Sequence, residues 1–205
     1  DGLIPVGYIW ARTIPCQNPT CNAEIPLMRQ FWLAKKKNKK VALYPYIENR
    51  EVKFKIVGDG YEKIPDDFDP SKGTVSRAIA TCPVCGYATE ANTTRKLFQE
   101  KKASQRLIAV VLHRQGRSGK TYRLAIEKDL EIFRKPEEYL KEKREKLMQE
   151  WGIDPVPDEI IFTPKGIEYK PGELLYNFTL VNLYGMTKWG DLFNSRQKLA
   201  LITFT

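Results

Sequence analysis

Histidine is nearly missing from this chain: His113 is the single one in 205 residues. Acid–base or nucleophilic schemes built on histidine therefore have one candidate at most. A lone histidine in a strand-like stretch (LIAVVLHR) reads as structural. Neither GxGxxG nor GxxxxGK[ST] occurs, so the dinucleotide fingerprint and the P-loop are both absent. No apolar run approaches the roughly 18 residues that a transmembrane helix needs. The opening residues lack the charged-then-apolar pattern of a leader peptide. The expectation is a cytoplasmic protein without a membrane partner. Acids are outnumbered, 25 Asp and Glu against 34 Lys and Arg, giving a formal charge of +9 and a pI near 9.3. Such a surface favours an anionic partner, and nucleic acid is the first candidate.

Enough is present for a buried core, since 42% of the residues are hydrophobic. LIPVGYIWARTI (3–14), VALYPYI, EVKFKIV and TVSRAIAT read as strands. EVKFKIV alternates cleanly, with Val52, Phe54 and Ile56 on one face and Lys53 and Lys55 on the other, and ENRE joins it to VALYPYI. The segment PLMRQFWLAK suits a short helix or an extended arm, and 58–73 reads as a polar loop. NTTRKLFQEKK has helical character, with Thr93 or Thr94 as the expected N-cap. LIAVVLHR and KTYRLAI form a candidate hairpin around QGRSG. The pattern over 136–151 predicts a helix, with Pro136 at its first position and Gly152 ending it. Leu140, Leu147, Met148 and Trp151 fall on one face of that helix. IIFTPKGIEY is expected to be extended, and NSRQKLALITF a capped helix from Asn194 or Ser195. The start at Asp1 and the stop at LALITFT, within a helical pattern, suggest a piece of a longer protein.

The four cysteines come as two close pairs, Cys16 with Cys21 and Cys82 with Cys85. Four thiolates in two pairs can wrap a tetrahedral Zn²⁺, each pair supplying one edge. In CPVCG the short loop aims backbone N–H groups at sulfur, and Gly86 supplies the positive φ needed to turn away. A thiol pair at the tip of each of two hairpins is the zinc-ribbon arrangement, with residues 22–81 as an elaboration between the knuckles. Iron in a rubredoxin-like site uses the same ligands, and a redox pair or free thiols are the other readings. A four-cysteine site is coordinatively closed, whereas catalytic zinc keeps an open position for water. The expected role is therefore to brace the fold.

Two segments concentrate the cations. KKKNKK holds Lys35, Lys36, Lys37, Lys39 and Lys40, flanked by Phe31, Trp32, Tyr44 and Tyr46. Lysines on phosphates and aromatics on bases make a nucleic-acid pattern. A solvated lysine loop between core aromatics is the plainer alternative. Residues 95–123 include Arg95, Lys101, Lys102, Arg106, Arg114, Arg117 and Lys120, with Glu100 as the one acid. The HRQGRSGK tip is expected to reach phosphates.

Three stretches carry a resemblance: WARTIPCQNPTCNAEIPLMRQFWLAKKKNKKVALYP, GTVSRAIATCPVCG and YGMTKWGDLFNSRQKLALITF. Together they resemble a family of adenine-specific DNA methylases that contain a zinc ribbon. The resemblance implies Zn²⁺ at Cys16, Cys21, Cys82 and Cys85. It also implies a Rossmann-like, S-adenosylmethionine-dependent methyltransferase around the insert, with the cofactor and Pro-Pro-Tyr motifs elsewhere in the parent protein. This chain has neither motif, so no catalytic residue is assigned to it. Trp189, Asp191, Arg196 and Gln197 lie in a strongly matching stretch, with no chemical role assigned. The resulting expectation is an α+β fold. Residues 1–125 form a zinc-ribbon β-rich region with an insertion at 22–81. Residues 126–205 form a helical and extended region leading toward the methyltransferase part. DNA and the remainder of the parent enzyme are the expected partners. A zinc-braced interaction module without DNA contact is the alternative.

Overall fold

The computed structural model describes residues 2–116, 118–161 and 180–204. The fold is α+β, with antiparallel sheets, and divides into two compact units, Asp1–Ala125 and Ile126–Thr205. Arg117 and the part of IIFTPKGIEY beyond Ile161 lie outside the described residues.

The first unit holds three sheets. Strand β1 (Leu3–Pro15) pairs along its length with β9 (Ser104–Arg114), flanked by β2 (Glu24–Leu27) and β10 (Lys120–Leu124). A second sheet is the meander β3 (Trp32–Lys36), β4 (Lys39–Glu48) and β5 (Glu51–Gly58). A small third sheet joins β6 (Val75–Ser76), β7 (Ile79–Thr81) and β8 (Ala88–Thr89). The segment offered as helix or arm is thus extended. The lysine run is not a loop but the tip of the β3–β4 hairpin, with Lys35 opposite Lys40 and Lys36 opposite Lys39.

The alternation in EVKFKIV holds where it matters: Val52 and Phe54 are buried while Lys53 and Lys55 pair with Glu48 and Glu62. The turn to β5 places Asn49 (φ 50°) and Arg50 (φ 64°) both in the left-handed region, as a two-residue hairpin turn demands. Between the first two sheets, Ala11, Phe31, Leu43, Val52, Phe54, Ile108 and Ala109 form one core. Phe31 packs tilted on Phe54 and Phe68, and Tyr44 meets Phe68 edge-on at 5.0 Å. Two of the aromatics beside the lysines are therefore packing residues, not platforms for bases. Tyr122 ties the sheets together, its hydroxyl donating to the Leu33 carbonyl while its N–H meets the Tyr61 hydroxyl at 2.7 Å.

Helix α1 (Ala91–Gln99) follows β8 after one residue. Its N-cap is Glu90, not Thr93 or Thr94, and Thr94 is buried. The chain leaves the second cysteine loop already aimed for a helix, so topology sets the start rather than the best capping side chain.

In the second unit, α2 runs from Glu127 to Trp151, nine residues earlier than the sequence pattern placed it. Asp129 is buried and accepts the Ile126 N–H at 2.9 Å, which fixes the true start. Pro136 consequently sits inside the helix, where its ring removes one backbone donor. Gly152 (φ 71°) ends α2, as expected. Arg144 then forks onto Asp154 beyond the turn, its Nε 2.8 Å from Oδ1. Leu140 and Leu147 are half-buried, whereas Met148 and Trp151 are each 48% exposed.

A 3-10 turn (Trp189–Leu192) and α3 (Ser195–Phe204) complete this unit. Here three of the four residues left without a role, Asp191, Arg196 and Gln197, acquire a structural one. Asp191 accepts the N–H groups of Thr187 and Lys188 and shapes the 3-10 turn. Asn194 and Gln197 exchange side-chain-to-backbone hydrogen bonds at 2.9 and 3.0 Å, a reciprocal cap for α3. Arg196 stacks over Phe133 at 5.9 Å. Asn194→Ala is expected to cost about 1 kcal/mol of the second unit's stability. In the Asn194→Ala/Gln197→Ala double variant the losses should be less than additive, as read by denaturant titration.

Candidate metal centre

Each cysteine pair sits in a loop between antiparallel strands: Cys16 and Cys21 between β1 and β2, Cys82 and Cys85 between β7 and β8. The two loops are built alike. The N–H of the first cysteine donates to the carbonyl two residues past the second, Cys16 to Ala23 at 2.8 Å and Cys82 to Tyr87 at 2.9 Å. The residue just after the second cysteine is left-handed in both, Asn22 at φ 50° and Gly86 at φ 74°. Asparagine tolerates that region better than most residues, so the sequence meets the same backbone demand twice with different side chains.

These loops face each other. Cys16 Sγ lies 3.6 Å from Cys85 Sγ, and Cys21 Sγ lies 3.9 Å from Cys82 Sγ. All four sulfurs fall within 4.8 Å of one another. A tetrahedral ion with metal–sulfur bonds of about 2.3 Å holds its sulfurs about 3.8 Å apart. A disulfide brings them to about 2.05 Å. The cysteines are free thiols at the spacing of a metal cage, so the donor set fits a structural metal such as zinc. Such an ion would supply folding free energy and would leave no open position for a substrate.

Burial and hydrogen bonding split the thiols. Burial pushes the Cys16 thiol up to about 12 and raises Cys82 as well. The Tyr87 N–H instead holds Cys85 down at about 7. Below those raised values Cys16 and Cys82 carry protons that a metal must displace. Affinity therefore falls as pH falls. Releasing at least two protons makes apparent zinc affinity rise by about a hundredfold per pH unit between roughly pH 6 and 8. Competition with a chromophoric chelator across that window checks the slope.

The centre has supports that spacing does not reveal. Ile14, Ala23, Ile25, Ala80 and Leu97 pack around Cys16 and Cys82 as a second core. Val84, inside CPVC, touches both cores. Arg50, at the tip of the β4–β5 hairpin, donates to the Thr20 carbonyl at 2.6 Å and clamps the first loop. In the sequence Arg50 is one more turn residue, and no local signal marks its long-range contact.

The basic residues separate into three groups. Lys35, Lys36, Lys37, Lys39 and Lys40 line the β3–β4 tip, and the Lys39 ammonium donates to the Lys120 carbonyl. That contact sets this tip against the β9–β10 hairpin, which carries Arg114 and Lys120. Arg95, Lys101 and Lys102 lie on α1 and just past its end; Arg95 donates to Asn92, and Lys102 pairs with Glu100 at 2.7 Å. Arg106 is occupied internally by Glu24 at 3.1 Å, the Val52 carbonyl at 2.8 Å and the Phe54 ring. His113 Nδ1 lies 3.1 Å from the Gly119 carbonyl, within its own hairpin.

No family model, curated protein or solved structure matches the chain. Among the described residues no helix is long and apolar enough to cross a membrane.

Proposed function

We propose that the first unit is a zinc-braced nucleic-acid-binding module, with DNA as its ligand and no catalytic step of its own. The observation that carries this reading is the lysine hairpin. Like charges directly opposite on an antiparallel pair repel, yet Lys35 faces Lys40 and Lys36 faces Lys39. The neighbouring β9–β10 hairpin adds Arg114 and Lys120 on the far side of the Lys39 contact. A phosphate backbone neutralises such a cluster and releases counterions, so binding should weaken steeply with salt. The Cys₄ centre organises the sheets from which the tips project and contributes no ligand contact.

The wider setting, an insert in an S-adenosylmethionine-dependent adenine methyltransferase, rests on the sequence resemblance. In that setting the module grips the duplex while the parent enzyme extrudes the target base. The experiment is duplex binding by fluorescence anisotropy, with a Lys36→Ala/Lys37→Ala/Lys40→Ala variant beside the native chain. Each lost phosphate contact lowers the salt slope by about 0.9, so the triple variant should lose about two to three units of slope. Equal binding by native chain and variant would sink the reading.

A second reading has its own support. Met148, Trp151 and Ile153 are 48%, 48% and 68% exposed along one stretch of the second unit. Exposed apolar residues of this kind suit a protein-interaction module. DNA affinity no better than that of an unrelated protein of equal charge would favour it.

A further inference from the structure

A cleft of about 830 Å³ opens beside the third sheet, lined by Arg29, Ser71, Lys72, Gly73, Ser76 and Arg77. Three cations and two hydroxyl residues line it, beside apolar Val75 and Ala78, and no carboxylate is among the lining residues. Lys72 is partly neutralised by Asp69 at 3.7 Å. Arg29 and Arg77 have no side-chain partner among the described residues. This sets them apart from Arg106, Arg144 and Arg134, which are all paired.

The walls are fixed by backbone contacts. The Gly73 N–H donates to the Arg29 carbonyl at 3.1 Å, and the Phe31 N–H donates to the Pro70 carbonyl at 2.7 Å. Thr74, buried, receives the Met28 N–H at 2.9 Å and donates to the Pro26 carbonyl. On the other side, Arg77 (φ 48°) and Ala78 (φ 66°) form the two-residue turn between β6 and β7. That turn favours Asn-Gly, yet an arginine occupies a left-handed position in it, at the mouth of the cleft. Strand β7 runs from this turn to Cys82, so the metal centre anchors the strand that presents Arg77. Ser71 also joins the cleft to the lysine hairpin, 3.0 Å from Trp32 Nε1 and 3.4 Å from Lys35 Nζ.

We propose that this cleft is a second anion site, in which Arg29 and Arg77 hold a phosphate group of the nucleic-acid backbone that also crosses the lysine hairpin. Arginine suits the task because its planar fork can bond two phosphate oxygens at once. The proposal deepens the nucleic-acid reading and supplies contacts that charge runs in the sequence do not mark.

The test uses the whole chain and an Arg29→Gln/Arg77→Gly variant. Glycine is at ease in the left-handed turn, and neither side chain has a partner among the described residues, so melting should be unchanged. Duplex affinity at low salt is expected to fall about tenfold or more, with the salt slope reduced by about 0.9, the value for one phosphate. A parallel arm follows melting with inorganic pyrophosphate against sodium chloride of equal ionic strength, where native chain alone should be stabilised. Loss of both duplex affinity and the pyrophosphate effect supports the site. Loss of the pyrophosphate effect with native duplex binding overturns the backbone assignment in favour of a free phosphorylated ligand. Native behaviour in both arms overturns the cleft as an anion site, even if the lysine variant loses DNA. If the native chain ignores DNA but keeps a pyrophosphate effect that needs both arginines, the nucleic-acid reading fails and the phosphate site stands.

Discussion

Cys82→Ser is expected to abolish stoichiometric metal binding and to destabilise the first unit by on the order of 3 kcal/mol or more, a drop in Tm of about 10 °C. Cys82 is 1% exposed and lies at the centre of the second core, against Ala80, Leu97 and Cys16. Serine cannot replace a thiolate in a sulfur cage, and three remaining sulfurs leave a weaker site with an open position. The loss should be regional. Leu43 and Val52 belong to the first core, whose sheets close around Phe31 without a cysteine. Hydrogen exchange should therefore accelerate at the amides of Cys16, Cys82 and Gly86, which hold the two loops. The Leu43 amide, bonded to the Phe31 carbonyl at 2.8 Å, should stay protected. Uniform loss of protection would mean that the two cores are one cooperative unit, with Val84 as the link.

Gly73→Ala is expected to be nearly as damaging, though it adds one methyl group outside both cysteine loops. A Cβ there would lie 1.9 Å from the Met28 carbonyl oxygen and 2.4 Å from the Arg29 carbonyl carbon. Those atoms belong to backbone, so no rotamer change relieves the overlap. The 69–76 segment must move off the 26–31 segment and strain the hydrogen bonds of Phe31, Gly73 and Val75 that join them. Overpacking with weakened buried hydrogen bonds costs about 2–4 kcal/mol. Gly7→Ala is the control, since its nearest neighbours, on Val111, are 3.5 Å away, an ordinary contact. That change should stay within about 1 kcal/mol. Denaturant titration of both variants checks the contrast, and equal losses would contradict it.

The four-cysteine cluster was legible in the sequence because its determinants are local. Each pair closes its own loop, and Gly86 announces the turn at CPVCG. Asn22 does the same work with a quieter signal. The strand pattern of EVKFKIV was legible for a similar reason, since alternation over a few residues fixes which face is buried. What escaped was decided at a distance. KKKNKK reads as a charge run until β3 and β4 place it at a hairpin tip, with Lys39 reaching Lys120. Helix α1 starts at Ala91 because β8 ends at Thr89, whatever Thr93 and Thr94 prefer. The start of α2 was hidden by Pro136, a residue that argues for a first turn. Asp129 and a long helix downstream outweigh the single donor that the proline removes. Asp191 and Gln197 stood out in the sequence stretch that carries the resemblance, and both prove to be capping residues. The Arg29–Arg77 cleft was invisible for a further reason. Its residues, Arg29 and the 71–78 segment, are separated in sequence by an entire sheet.

The most direct measurement is X-ray absorption at the metal edge of the chain as purified, with the metal-to-protein ratio determined on the same sample. One ion per chain, bound by four sulfurs at about 2.3 Å with no oxygen or nitrogen shell, is the predicted result for zinc. Absence of metal, or an ion held by fewer than four sulfurs, would contradict a single closed centre formed by Cys16, Cys21, Cys82 and Cys85.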